Sequence, residues 1–255
     1  MLLALFLLEL AAGTLAFLPL VGRRNSGVKF YRLIILFSLS LAALAGISHA
    51  LAGRRDLAMA DGALAISCIA WFIVLRYPKR LVHRLAAIAV GVCVIVIPVV
   101  AWHEAIRPAS VLWSIAGAMT GAALLGSVNL AMLLGHWYLV VRGMAIEPLL
   151  RLVTALIASS VARLLVTLAA IALLAADGWG FDTPLHDLFV RDGLFFWMRV
   201  GWGLLFPLAL WPMVHGTAKI RSTMAATGIL YVDVVGIVIG ELLAVNLALS
   251  ARLPV

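Results

Sequence analysis

Five ionisable side chains stand inside stretches otherwise built from leucine, alanine, valine and isoleucine: Glu9, Arg163, Arg199, Asp233 and Glu241. A charge at bilayer depth is costly and faces the protein interior, a water-filled path or a partner charge. These five therefore set the chemistry open to the chain. A buried arginine keeps its charge, so Arg163 and Arg199 each need an acid or several carbonyls. Three acids against two arginines leave one carboxyl without a cation. Desolvation favours the neutral form of such a group, and a carboxyl able to exchange a proton is the expected centre of function. By depth along the helices, the expected contacts are Arg163 with Asp233 first, then Glu9 and Glu241, and Arg199 with Glu9 or Glu241.

A second set consists of groups that could touch a cofactor. Asn129 and His136 lie seven residues apart, on one helical face two turns from each other, and His215 sits at a similar depth in another span. A buried imidazole can ligate haem, carry a proton or serve as a hydrogen-bonded core residue. Were their spans neighbours, His136 and His215 would face one another as haem b or quinone contacts. Each span holds at most one histidine, which weighs against haem and leaves a quinone- or proton-handling unit better supported. Cys68 and Cys93 are isolated and suggest neither a disulfide framework nor a zinc site. The catalytic signatures of zinc proteases, serine hydrolases and P-loop enzymes are missing, so no catalytic or metal-binding residues are assigned.

The elements that must position these groups follow from composition. Of the 255 residues, 65% are hydrophobic and 12% charged, against roughly 25% charged in soluble chains. A helical span needs about 20 apolar residues, and eight such stretches occur, near 2–21, 31–52, 58–77, 85–103, 110–141, 148–176, 193–215 and 222–249. The expected fold is an all-α polytopic bundle, one transmembrane domain over 1–255. Residues 1–21 carry Glu9 and no basic n-region, and so read as a first span and not as a signal peptide.

Topology accounts for the net charge of +8. Arg23, Arg24, Lys29, Arg32, Arg76, Lys79, Arg80, Arg84, Arg142, Arg151, Lys219 and Arg221 cluster at one set of ends, opposed only by Glu147. The other ends carry most of the acids. The positive-inside rule makes the basic side cytoplasmic and puts both termini outside, as in a bacterial inner membrane. The charge thus answers the bilayer and no nucleic-acid partner is implied.

Within the spans, Gly117, Gly121 and Gly126 form a small-residue face suited to close helix packing, as do Gly236 and Gly240. Pro207 and Pro212 imply a kinked seventh span with freed carbonyls. Trp102 reads as part of the aromatic belt. His49 reads as an interfacial imidazole beside Arg54 and Arg55, Asp61 as a solvated or arginine-paired acid, and His103 is level with His49. The outer loop 177–192 reads as a short interfacial helix, with Leu185, Leu188 and Phe189 on one face beside Trp179 and Phe181.

Together these features predict a quinone- or proton-handling membrane subunit of a respiratory or redox complex, which requires other membrane or periplasmic subunits. Two alternatives stand beside it: a small proton-coupled secondary transporter using Asp233, Arg163 and Glu241, and a structural anchor whose buried charges form a lattice. The two halves of the chain show no internal repeat, which weighs against the transporter.

Overall fold

The computed structural model describes residues 1–77, 80–141, 143–176, 183 and 186–254. Every regular element among them is helical, as hydrocarbon requires of a backbone that must satisfy its own polar groups. The helices are α1 (Leu2–Val21), α2 (Arg23–Leu51), α3 (Arg55–Val74), α4 (Arg80–Ile106), α5 (Val111–Val140), α6 (Glu147–Ala176), α7 (Gly193–Val200), α8 (Phe206–Lys219) and α9 (Thr223–Ala251). The pair α7 and α8 forms one span, so the described residues hold eight helical segments long and apolar enough to cross a membrane. Tight turns join α1 to α2 and α2 to α3, with Gly22 and Gly53 at φ 72° and 74° in the left-handed region that glycine enters without strain.

Helices α1 and α5 form the most extensive helix pair and the centre of the bundle. Around α1, the helices α2, α3 and α4 close a ring of four, and α6, α8 and α9 pack on the far side with α5. The crossing of α1 and α5 is a backbone contact: a Cβ on Gly13 would fall inside the carbonyl of Ala122, and one on Gly126 inside the backbone of Gly13. Gly117 and Gly121 play a different part from the expected helix packing. They make room for side chains, with the Trp102 ring against Gly117 and the Glu9 carboxyl against Gly121. On α9, Gly240 meets the backbone of Gly203 and Gly236 meets the carbonyl of Trp202.

The expected distortion of the seventh span takes the form of a π-turn at Gly201–Leu205. Pro207 has no N–H and its ring would crowd the carbonyl four residues back, that of Gly203. The widened turn relieves this, and the N–H of Phe206 bonds the carbonyl of Gly201. Trp179, Phe181 and Leu185 of the outer loop lie outside the described residues. What is described there is a π-turn at Asp187–Arg191, with Leu188 buried and Phe189 packed 4.8 Å from Phe196.

Candidate functional site: a buried charge cluster

Four of the five ionisable residues singled out in the sequence come together. Glu241, from α9, lies between two arginines from different helices. Arg163 of α6 donates from Nη2 to Oε2 at 2.8 Å and from Nε to Oε1 at 3.3 Å. Arg199 of α7 places Nη2 3.0 Å from Oε1. All three side chains are fully buried. The Arg163 fork is bidentate, the strongest form of a carboxylate contact, and its Nη1 is also occupied, by Gly117 O at 3.3 Å and Thr120 Oγ1 at 3.2 Å.

Glu9 completes the cluster from α1. Its Oε1 accepts a hydrogen bond from Trp102 Nε1 at 2.7 Å, and the same indole lies under the Arg163 guanidinium, 6.0 Å from ring centroid to Cζ. Such a contact gains strength when desolvated. Trp102 is therefore not an aromatic-belt residue: it is among the largest fully buried side chains of the bundle. The two arginines and two carboxyls come from four helices, and Trp102 of α4 adds a fifth.

The expected contact of Arg163 with Asp233 is not formed, and that of Arg199 with Glu241 is. Both α6 and α9 start on the basic side. Arg163 lies about 24 Å from the start of α6, whereas Asp233 and Glu241 lie about 15 Å and 27 Å from the start of α9, at ~1.5 Å per residue. Glu241 is thus the level partner. Asp233 remains alone: it is fully buried, and neither carboxyl oxygen has a hydrogen-bond partner among the described residues. In the cluster itself, Glu9 Oε2 and all three Arg199 guanidinium nitrogens are likewise buried without a hydrogen bond, the Arg199 contact with Glu241 being an ion pair.

The second set of predicted residues separates. Asn129 is buried and donates from Nδ2 to Thr14 Oγ1 at 3.1 Å, and Thr14 donates to Leu10 O at 2.7 Å. His136, two turns along the same helix, is exposed on the bundle surface and pairs with Tyr231 Oη at 3.3 Å. His215 is half-buried and stacks on Trp211, 5.1 Å between ring centroids. α9 packs against both α5 and α8, and the two imidazoles are engaged with different neighbours, so they do not form the facing pair considered from the sequence.

A feature that sequence reasoning missed lies between α2 and α3. His49 Nδ1 and Asp61 Oδ2 are 2.7 Å apart, and the two side chains are 0% and 1% exposed. Neither the interfacial reading of His49 nor the solvated reading of Asp61 holds. His103 does not join them; its Nδ1 lies 3.2 Å from Ser114 Oγ. A stripe of residues carried the information: Ser38, Ala42, Ala45 and His49 repeat at helical spacing, as do Leu57, Asp61, Leu64, Cys68 and Trp71, and all nine are buried.

Comparison with protein-family models, with curated proteins and with solved structures gives no match. Fold and site alone define the class: an integral membrane protein with eight helical spans among the described residues, enclosing a cluster of two arginines and two carboxyls and a separate carboxyl with no hydrogen-bond partner among those residues.

Proposed function

We propose that the protein is a quinone- or proton-handling membrane subunit of a respiratory or other redox complex, seated in a bacterial cytoplasmic membrane with its basic loops inside and both termini outside. The observation that carries this reading is Asp233. It stands about 12 Å along α9 from Glu241, at ~1.5 Å per residue, buried and with both oxygens free of hydrogen bonds among the described residues. Leaving a buried polar group unmet costs about 1–3 kcal/mol, and Asp233 is unmet at both of its oxygens. With neither cation nor donor on it among the described residues, each oxygen is open to accept a proton and hand it on.

In this reading the arginine cluster fixes the outer end of the route. Glu241 is locked by two guanidinium groups and acts as a fixed anion. Glu9, held through one oxygen by Trp102, keeps Oε2 open to a proton. Asp233 exchanges protons with the inner side, and Glu9 passes them outward.

The test uses the protein purified from its native membrane with its partner subunits and reconstituted in liposomes containing a pH dye. Quinol-driven proton movement is expected, and Asp233→Asn is expected to cut it at least tenfold with little change in thermal stability. Unaltered proton movement in Asp233→Asn, together with altered stability, would instead identify the buried groups as a structural lattice.

A further inference from the structure

Where the end of α9 meets the segment leading into α7, a cavity of about 530 Å³ opens at the end of the bundle opposite the basic loops. We propose that it binds a phosphate–ammonium zwitterion, the head group of an aminophospholipid, with the phosphate on Arg191 and Arg252 and the primary ammonium on Asp187 and Asp192. The site is separate from the charge cluster and from the route through Asp233.

Two stretches of chain build its walls. Leu247, Ser250 and Ala251 of α9 line one side, and the helix stops at Arg252, whose φ of 59° lies in the left-handed region. That turn is held in place: Arg252 Nη1 donates to Ala105 O of α4 at 2.8 Å, and Pro254 is set against Gly117 of α5. The π-turn Asp187–Arg191 and Asp192 form the other side. Leu188 and Leu247 are 2% and 1% exposed and share an apolar cluster with Leu174 and Phe196, whereas Asp187, Arg191, Ser250 and Arg252 are exposed. The cavity therefore has an apolar floor and a charged rim open to the surface. Its volume falls within the roughly 300–1,000 Å³ of small-molecule sites, which have the same makeup of apolar lining and few polar groups.

The rim narrows the ligand. It carries two guanidinium groups and two carboxylates, and among the described residues the side chains of Asp187, Arg191 and Asp192 enter no hydrogen bond or ion pair. Arg252 uses one nitrogen on Ala105 and leaves the others available. A ligand that satisfies all four groups bears both signs. Guanidinium forks match phosphate oxygens, and carboxylates accept hydrogen bonds from an ammonium that has N–H groups, as a quaternary ammonium does not. Val190 of the π-turn and Leu194 and Trp197 of α7 are 60%, 72% and 59% exposed, and tryptophan is typical of the level where acyl chains meet head groups. A lipid seated here keeps its head in the cavity and its tails along these side chains.

A rim that is only solvated would prefer no lipid. The purified, delipidated protein in detergent is titrated with short-chain phosphatidylethanolamine, phosphatidylcholine and phosphatidylglycerol and with free glycerophosphoethanolamine, and bound species are counted by native mass spectrometry. Phosphatidylethanolamine is expected to bind about tenfold or more tighter than the other two lipids, the worth of one charge-assisted hydrogen bond. The double change Asp187→Asn with Asp192→Asn is expected to abolish that preference, and Arg191→Gln with Arg252→Gln to weaken all three lipids. A phosphatidylethanolamine with a photoreactive group near its glycerol is expected to label 187–197 or 247–252 of the wild-type protein, a readout independent of the variants. Equal binding of the three lipids, a preference that survives both double changes, or a label confined to other segments overturns the site. Free glycerophosphoethanolamine binding as tightly as the lipid overturns the lipid as the source of the zwitterion.

Discussion

Arg163 and Glu241 meet side on, through hydrogen bonds of 2.8 Å and 3.3 Å, and Glu241 is at the same time 3.0 Å from Arg199. One carboxylate thus answers two cations in a space closed to water. Its partners are not equivalent, because Arg163 has further acceptors at Gly117 and Thr120 whereas Arg199 Nε and Nη1 have none.

Glu241→Gln is therefore expected to be the most damaging single change in the cluster. It leaves two buried guanidinium groups without their shared counter-charge, and breaking a buried pair costs about 3–5 kcal/mol. Arg163→Met leaves Glu241 still paired with Arg199 and is expected to cost less. Thermal unfolding in detergent, compared between the two variants, checks the order; an equal or reversed order would mean that Arg199 does not depend on Glu241.

The crossing of α1 and α5 yields a sharper steric expectation. Gly13→Ala drives a methyl into the carbonyl of Ala122, backbone against backbone, so no side-chain rotation relieves it. A loss of about 3 kcal/mol or more is expected, the upper end for overpacking. Gly62→Ala and Gly91→Ala, where nothing lies within 4 Å of the added carbon, are expected to hold or gain stability, since alanine favours a helix by roughly 0.5–1 kcal/mol. Expression level and midpoint of unfolding of the three variants decide it.

How much of this was legible before the structure depended on residue type more than on position. Glu9, Arg163, Arg199 and Glu241 announce themselves because ionisable groups in hydrocarbon have few places to go, and the eight spans follow from length and apolarity. Pairing was harder. Counting depth from the middle of a span put Arg163 level with Asp233, whereas counting from the helix starts brings it level with Glu241. Trp102, His49 and Asp61 are ambiguous in the sequence for another reason: near a span end, the same residue can face headgroups or the core. In helices apolar all round, only a faint stripe of small residues tells the inward side. The loss of a hydrogen bond at Pro207 is readable in the sequence, but its resolution as a π-turn, within which Gly203 packs against Gly240, is not.

Orientation is open to a direct chemical test. Ser110 precedes α5 on the side assigned to the exterior, and Ala145 precedes α6 on the basic side; both are exposed. In a background carrying Cys68→Ala and Cys93→Ala, Ser110→Cys is expected to react with a membrane-impermeant maleimide in intact bacterial cells. Ala145→Cys is expected to react only after permeabilisation. The opposite pattern would invert the topology and put both termini in the cytoplasm.

Trp102 gives the last expectation, and it separates packing from hydrogen bonding. Trp102→Phe keeps an aromatic ring against Gly117 and under Arg163 but removes the N–H that Glu9 Oε1 accepts. Glu9 Oε2 is already without a partner, so the variant leaves the whole carboxyl unmet. A cost of about 1–3 kcal/mol is expected from an unsatisfied buried acceptor. The companion change is Glu9→Leu, which removes the acceptor instead of the donor. If the bond is what couples α1 to α4, the double variant loses clearly less stability than the two single losses combined, with a coupling of about 0.5–3 kcal/mol. Additive losses in the thermal unfolding cycle would show that Trp102 acts there by volume alone, and Glu9 would then owe its place to the charges of Arg163 and Arg199.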